Sequence, residues 1–373
     1  LLDILLQTPP MQRLSTTLLM LLLLGGSSLH AQFTEGFDKT EYLEIMRITA
    51  ASIDTPWVKL RTPAPLQSEI FFRSRVVGLD NQADLWIRDD GVIILSIRGT
   101  TAKDISWLEN FYAAQIPAKG SIQLSSDYRY DYHFAEDDRA AVHVGWTIGA
   151  GFLLREVMPK IDSCYAAGSR YLMVVGHSQG AAIAYLVTSQ LRNWQQTGKL
   201  GTEWELKTYT SAAPKPGNLY YAYAYEQQTY GGFGITVLNP LDWVPEVPVT
   251  IQTVSDFNTT NPFGGVKKVF KKLPFFKRMA LNYGYKRLTK PSRKAQRNYT
   301  KYLGRTTSGM LKEALPGFVA PDYVPSTHYM RTGSPIILRP DTTYRNERAD
   351  PHKNVFIHHM PEAYYKLAEQ LPE

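Results

Sequence analysis

Tyr171-Leu172-Met173-Val174-Val175-Gly176-His177-Ser178-Gln179-Gly180-Ala181-Ala182-Ile183 is the stretch on which the reading of this chain turns. Five strand-forming residues lead into Gly-x-Ser-x-Gly, and small apolar residues then open a helical run. Strand, sharp turn and helix around that pentapeptide is the setting that lifts a serine hydroxyl above the edge of a sheet. The two glycines permit the turn, and the alanines beyond Ser178 let the helix lie close to the strand. A hydroxyl placed there becomes a nucleophile once a base takes its proton and an acid orients the base.

Working outward, 92–97 is apolar nearly throughout, as in a central strand. Residues 70–77 and 83–88 read as strands before it, with turns at Asp80-Asn81 and Asp89-Asp90-Gly91. Residues 33–60 read as helical, with a stripe through Tyr42, Ile45 and Met46, and the proline-rich 62–66 ends them. A short amphipathic helix is predicted over 104–111, its apolar side carrying Ile105, Trp107, Leu108 and Phe111. A long helix follows over 142–167, then the elbow, a strand at 205–210, a helix at 218–229, a strand at 235–238 and a closing helix at 361–371. Strands alternating with helices predict an α/β fold with a mainly parallel central sheet flanked by helices.

The chain has 373 residues, of which 44% are hydrophobic and 20% charged, so it is long and apolar enough to bury a large core. Its one cysteine, Cys164, cannot form an internal disulfide and is expected as a small buried residue in the long helix. There is no Cys/His cluster with zinc spacing and no glycine-rich phosphate loop. At the N-terminus, Met11-Gln12-Arg13, an apolar stretch at 14–24 and small residues through Ala31 read as a signal peptide cut after Ala31. Residues 1–31 are thus expected as an extension plus signal peptide, and 32–373 as one exported domain, whether secreted, periplasmic or held at the cell surface.

One segment departs from the rest. Residues 257–312 hold 15 Lys and Arg and no Asp or Glu, so the remainder of a +7 chain is net −8. Phe263, Val266, Val269, Phe270, Phe275, Phe276 and Met279 are interleaved with the lysines. Such a stretch can adsorb to an anionic lipid surface, or it is a solvated basic insertion. No nucleic-acid-binding module accompanies it, which argues against that partner.

Past Ser178, the predicted strand at 235–238 runs into Asn239-Pro240-Leu241-Asp242, so Asp242 lies just beyond a strand's C-terminal end and is the candidate acid. His328, His352, His358 and His359 are the later histidines. Ile357-His358-His359-Met360 directly precedes the closing helix, where a loop can hold an imidazole over the elbow.

These pieces together resemble the class 3 lipases, the fungal-type triacylglycerol lipase family. The likeness rests on Ile97-Arg98-Gly99-Thr100, Val142-His143-Val144-Gly145-Trp146, the elbow, Ala213-Pro214-Lys215-Pro216-Gly217-Asn218, residues 239–248 and the His358-His359 region, in that order. It implies an α/β-hydrolase fold, from whose usual pattern the basic insertion of about 252–334 between the acid and histidine positions departs. By position it implies Ser178 as nucleophile, Asp242 as acid, and His359 as base, with His358 as the alternative; Tyr364, five residues after His359, favours the former. Thr100 and Gln179 would supply oxyanion-hole amides, and Ile105, Trp107 and Leu108 fall where the family carries a lid. His143 and His177 match structural positions. No cofactor and no metal are implied. The expected substrate is a lipid or other acyl ester, with triacylglycerol lipase, phospholipase A1 and soluble-ester esterase all open. The rival of another class is a non-catalytic protein that binds membrane surfaces. The oligomeric state is unknown from the sequence.

Overall fold

Chain order is α1 (Lys39–Ala51), β1 (Ser68–Arg73), β2 (Ala83–Arg88), β3 (Ile93–Ile97), α2 (Asp104–Phe111), β4 (Gln115–Pro117), β5 (Lys119–Ser125), β6 (Tyr128–His133), β7 (Ala141–His143), α3 (Val144–Ala166) and β8 (Tyr171–His177). It continues with α4 (Gln179–Gln196), β9 (Glu205–Ser211), α5 (Leu219–Gln228), β10 (Gly234–Leu238), α6 (Val266–Lys271), α7 (Phe275–Thr300), α8 (Thr307–Ala314), β11 (Ser334–Ile337), α9 (Thr342–Glu347) and α10 (Pro361–Glu369). This computed structural model describes residues 33–52, 62–263, 265–349 and 354–372. The signal peptide predicted at 1–31 and the end of the helix predicted over 33–60 lie outside the described residues.

Seven strands form one sheet in the order β1-β2-β3-β8-β9-β10-β11. The first three pair antiparallel, and from β3 onward every neighbour is parallel. All five residues of β3 are buried, and so are the last six of β8. A continuous apolar run of that kind belongs to a strand covered on both faces. Ile93, Leu95, Leu172 and Val174 join the core beneath α3 and α4. Their alternate neighbours Ile94, Met173 and Val175 are buried on the opposite face, where α1 packs. The sheet is therefore mainly parallel and flanked by helices, an α/β-hydrolase fold.

Several local features differ from the sequence expectations. The first strand is Ser68–Arg73, not 70–77, because Val77 instead bridges Asn81 in a tight turn. Two small antiparallel sheets, β4-β7 and β5-β6, occupy residues 115–143, where no strand was predicted, and the long helix starts at Val144, after β7. Their signal is present in the sequence: Ile122/Leu124 and Tyr130/Tyr132 alternate with exposed or half-exposed neighbours and turn inward. Cys164 lies in α3 but is half-exposed, not buried. Helix α2 buries polar residues most deeply, although Ile105 and Leu108 pack on the core and Trp107 and Phe111 line a cleft. Its buried residues are Ser106 and Glu109, while Phe111 is 57% exposed and Ile105, Trp107 and Leu108 are half-buried.

The basic segment falls between β10 and β11. Helix α7 runs 26 residues with only Gln296 buried, passes into a π-helical turn at Lys301–Thr306, and continues as α8. No helix among the described residues is long and apolar enough to cross a membrane.

Tyr185 of α4 joins this side of the sheet to the helix layer. Its hydroxyl lies 2.7 Å from Thr236 Oγ1 and donates to the Thr332 carbonyl at 2.9 Å. Thr236 Oγ1 also donates to that carbonyl, so the acceptor is not orphaned when the tyrosine hydroxyl is removed. Tyr185→Phe should thus cost only about 1 kcal/mol, the net worth of one hydrogen bond. Urea unfolding monitored by circular dichroism measures this, and the folded variant should keep its secondary structure.

Candidate active site

Ser178 sits between β8 and α4 with φ 58° and ψ −130°, a backbone conformation that side chains rarely adopt. The two flanking glycines make the turn sterically possible. A Cβ on Gly176 would lie 2.4 Å from the carbonyl carbon of Gly180, and a Cβ on Gly180 would lie 2.1 Å from the Ile97 oxygen. Helix α4 can therefore start directly against β3 and β8. The Ser178 amide donates to Ser211 O of β9 at 3.0 Å, and the Ala181 and Ala182 amides return to the Ser178 carbonyl.

His359 lies in the turn before α10. Its Nε2 is 2.9 Å from Ser178 Oγ, and its Nδ1 is 2.8 Å from Asp242 Oδ2. Asp242 follows β10 and is buried. Its Oδ1 accepts the Val244 amide at 3.0 Å, and its Oδ2 also accepts the Tyr364 hydroxyl at 2.8 Å. A carboxylate only accepts, so His359 Nδ1 carries the proton and the Nε2 lone pair faces the serine hydroxyl. Nucleophile, base and acid are in line, an arrangement that can transfer a serine proton to imidazole while the acid steadies the cation formed.

The second histidine points elsewhere. His358 Nδ1 is 3.1 Å from the Tyr344 hydroxyl, and its main-chain carbonyl accepts Asn239 Nδ2 at 2.9 Å. Asn239 also gives its amide to Tyr364 Oη at 3.1 Å. The end of β10 is thereby tied to the loop that carries His359. His177 adds a second tie. Its Nε2 donates to the His359 carbonyl at 2.7 Å, and burial, with His359 beside it, holds its pKa well below the ordinary histidine value. It is therefore a neutral donor at physiological pH. His143 is likewise a scaffold group, stacked on Trp146 with ring centroids 3.6 Å apart and pushed down to about 3 by burial. His328 is buried with its amide bonded to Ser326 Oγ, and His352 lies outside the described residues.

Thr100 lies in the loop after β3, with its Oγ1 accepting Asn110 Nδ2 at 2.9 Å. Asp80 anchors that loop. Its carboxylate accepts Thr101 Oγ1 and Lys103 Nζ at 2.6 Å each, and its carbonyl accepts Arg98 Nη2 at 2.9 Å. Sequence reading placed Asp80 only in a turn, since these partners lie about twenty residues away. Gln179 is the first residue of α4, where a main-chain amide has no carbonyl of its own helix to bond.

Ser178 and His359 open into a cleft of about 460 Å3, within the usual range for a small-molecule site. Its walls are largely apolar and include Trp107, Phe111, Trp146, Val247, Tyr299 and Leu303. Tyr299 and Leu303 come from the basic segment, at the end of α7 and in the π turn. Among the described residues no cluster of three or more His, Cys, Asp or Glu is arranged to hold a metal.

Comparison with known proteins bears on the chemistry. Residues 94–252 match the family described as lipase (class 3). Among solved structures, the chain is similar to a fungal lipase in complex with an inhibitor, at 20% identity, with 57% of this chain and 74% of that one covered and a TM-score of 0.43. The Lip2 lipase from Yarrowia lipolytica is similar at 20% identity over 59% of this chain and 78% of its own, with a TM-score of 0.42. Lipase II from Rhizopus niveus gives 19%, 57%, 75% and 0.42 in the same order. No curated protein matches.

The two adjacent histidines make a clean comparison. His359→Ala should lower kcat on a short-chain ester by at least about 10⁴-fold, the scale of losing a member of such a unit. His358→Ala, which loses only the Tyr344 contact, should stay within about tenfold of the parent. Steady-state kinetics on the two variants reads both values.

Proposed function

From the match of residues 94–252 to the class 3 lipase family, we propose that the chain is a carboxylic ester hydrolase that cleaves lipid esters through an acyl-enzyme formed on Ser178. His359 Nε2 takes the Ser178 proton as Oγ attacks the ester carbonyl carbon. The main-chain amides of Thr100 and Gln179 stabilise the resulting oxyanion, each such donor being worth roughly 2.7–4 kcal/mol. Collapse breaks the bond to the alcohol oxygen, and His359 returns the proton to that leaving group. Water then attacks the acyl-enzyme with His359 as base again, releasing the acid and the free serine. Asp242 orients His359 and balances its charge throughout, assisted by Tyr364. The observation that carries this reading is the Ser178–His359–Asp242 alignment at 2.9 and 2.8 Å at the mouth of an apolar cleft.

The apolar walls favour an acyl chain over a polar acid as the bound group. Triacylglycerol is the substrate we favour, with phospholipid as the second reading because of the basic segment. On the outer side of α7, Phe275, Met279, Tyr283, Lys286, Lys290, Lys294 and Arg297 follow helical spacing as one exposed stripe. Its first half is apolar and its second half cationic. None of the 15 Lys and Arg of 257–312 forms an ion pair among the described residues. A helix of this type lies in the plane of an anionic lipid surface, with apolar side chains inserted and cations at the headgroups. The segment is thus proposed as an insertion that brings the cleft to such a surface. Residues 1–31 are proposed as an extension and signal peptide for export of the hydrolase domain 32–373.

Release of acid from short-chain esters, triacylglycerol emulsion and phosphatidylcholine or phosphatidylglycerol vesicles tests the reaction. Ser178→Ala should lose at least about 10⁴-fold on every substrate the parent cleaves, and activity surviving in that variant would refute the nucleophile. Reversing Lys286, Lys290 and Lys294 to Glu should weaken binding to phosphatidylglycerol vesicles by roughly a hundredfold or more, at about 1 kcal/mol per charge near the surface. Co-sedimentation measures it, and unchanged binding would remove the surface role of α7.

A further inference from the structure

Helix α2 occupies the place where the family resemblance puts a lid, but its hydrogen bonds join it to both sides of the site. Glu109, 0% exposed, accepts Asn81 Nδ2 at 2.8 Å and Gln179 Nε2 at 3.0 Å on the same oxygen, Oε2. Gln179 Nε2 also reaches the Ser106 carbonyl at 3.3 Å, and Ser106 Oγ lies 3.4 Å from Gln179 Oε1. The next residue, Asn110, donates to Thr100 Oγ1 and accepts Trp146 Nε1 at 3.0 Å. Two consecutive side chains of α2 thus hold the two residues whose amides are proposed for the oxyanion hole. The helix is seated without room to spare. A Cβ on Gly145 would lie 2.1 Å from the Glu109 carbonyl oxygen, and one on Gly149 would lie 2.3 Å from Glu109 Oε1.

We infer that Glu109 is a positioning residue for the oxyanion hole, holding the Gln179 side chain so that the first turn of α4 and its leading amide keep their aim. The inference rests on the proposed acyl-enzyme reading. It makes α2 a clamp in place of a lid. The chemistry of the site suits a neutral acid. Burial, with the charge of Asp80 nearby, raises the Glu109 carboxyl well above the ordinary carboxylate range, against the lowering effect of Asn81. The cations Arg98 and Lys103 bond to Asp80. Gly149 of α3 and the Gln179 amide of α4 lie against the carboxyl, and neither carries a charge. An amide in place of the carboxyl can present the same oxygen to Asn81 and Gln179.

The test is kinetic. Glu109→Gln should keep kcat within about threefold of the parent. Glu109→Ala should lower kcat by roughly 10- to 100-fold with KM changed less than about threefold, the loss expected from an oxyanion donor displaced but not removed. Gln179→Ala, which keeps its main-chain amide, should give a loss of similar size. The double variant should be no more than about threefold worse than either single one, because both break one coupling. Thermal unfolding of each variant shows that the folded protein is being assayed. If Glu109→Ala does not fold, Glu109→Gln and Glu109→Leu carry the comparison. Multiplying losses in the double variant, an unchanged kcat in Glu109→Ala, or a Glu109→Gln enzyme as poor as Glu109→Ala would each overturn the role. The parallel Ser178→Ala control separates these outcomes from failure of the acyl-enzyme reading: if it stays active, that reading fails, whatever Glu109 does.

Discussion

The arrangement depends on a strained residue wedged between a strand and a helix. Ser178 has positive φ, and such a conformation costs of order 1–3 kcal/mol and persists only where the surroundings enforce it. Here the enforcement comes from close packing. Gly180 lies against the Ile97 carbonyl, Gly176 against Gly180, and the first thirteen residues of α4 are all buried. The hydrogen bond from the Ser178 amide to β9 closes the remaining freedom. Because the turn cannot relax, the hydroxyl projects from the C-terminal edge of the parallel strands toward groups on other segments, where sheets of this kind build their sites.

Those groups are held in two separate ways. On one side, Asn239, Tyr364 and His177 tie the end of β10 to the loop of His359, so acid and base share one frame. Tyr364 serves this frame twice, accepting from a main-chain amide and donating to the Asp242 carboxylate. On the other side, Asp80 anchors the Thr100 loop while α2 grips Thr100 and Gln179. Asp80, Ser106, Glu109 and Gln179 of this second frame are buried, where hydrogen bonds to protein replace those to water and so restrict the geometry.

The basic segment follows a different logic. It departs after β10 and returns as β11, leaving the order of the sheet undisturbed. Helix α7 contributes almost nothing to the core, since one residue of twenty-six is buried. Its apolar side chains remain exposed, and its charges lack partners of opposite sign within the segment. Only the end nearest the π turn meets the cleft, through Tyr299 and Leu303. Surface chemistry and the cleft wall are thus carried by one continuous piece of chain.

The elbow, the central strands and Asp242 were legible from residue order because each obeys a local rule: apolar runs for buried strands, glycine where a turn must be tight, an acid just beyond a strand. The choice between His358 and His359 was carried by resemblance alone. Neighbouring residues in a turn point in different directions, and which one faces Ser178 follows from the docking of α10. In helix α2 the apolar pattern gave only part of the packing: Ile105 and Leu108 pack on the core and Trp107 and Phe111 line the cleft, yet the fully buried positions are the polar Ser106 and Glu109. Periodicity records which side of a helix is apolar, not whether an apolar cleft or a polar network awaits it. By itself the sequence determined the central strands, the sharp turn at the serine and the sign of the charge on each segment, all consequences of short-range sterics and composition, but not the edge strand β11. The tertiary structure alone decided which imidazole, which buried acid and which wall of the cleft meet that serine, because these contacts join residues 70 to more than 180 positions apart.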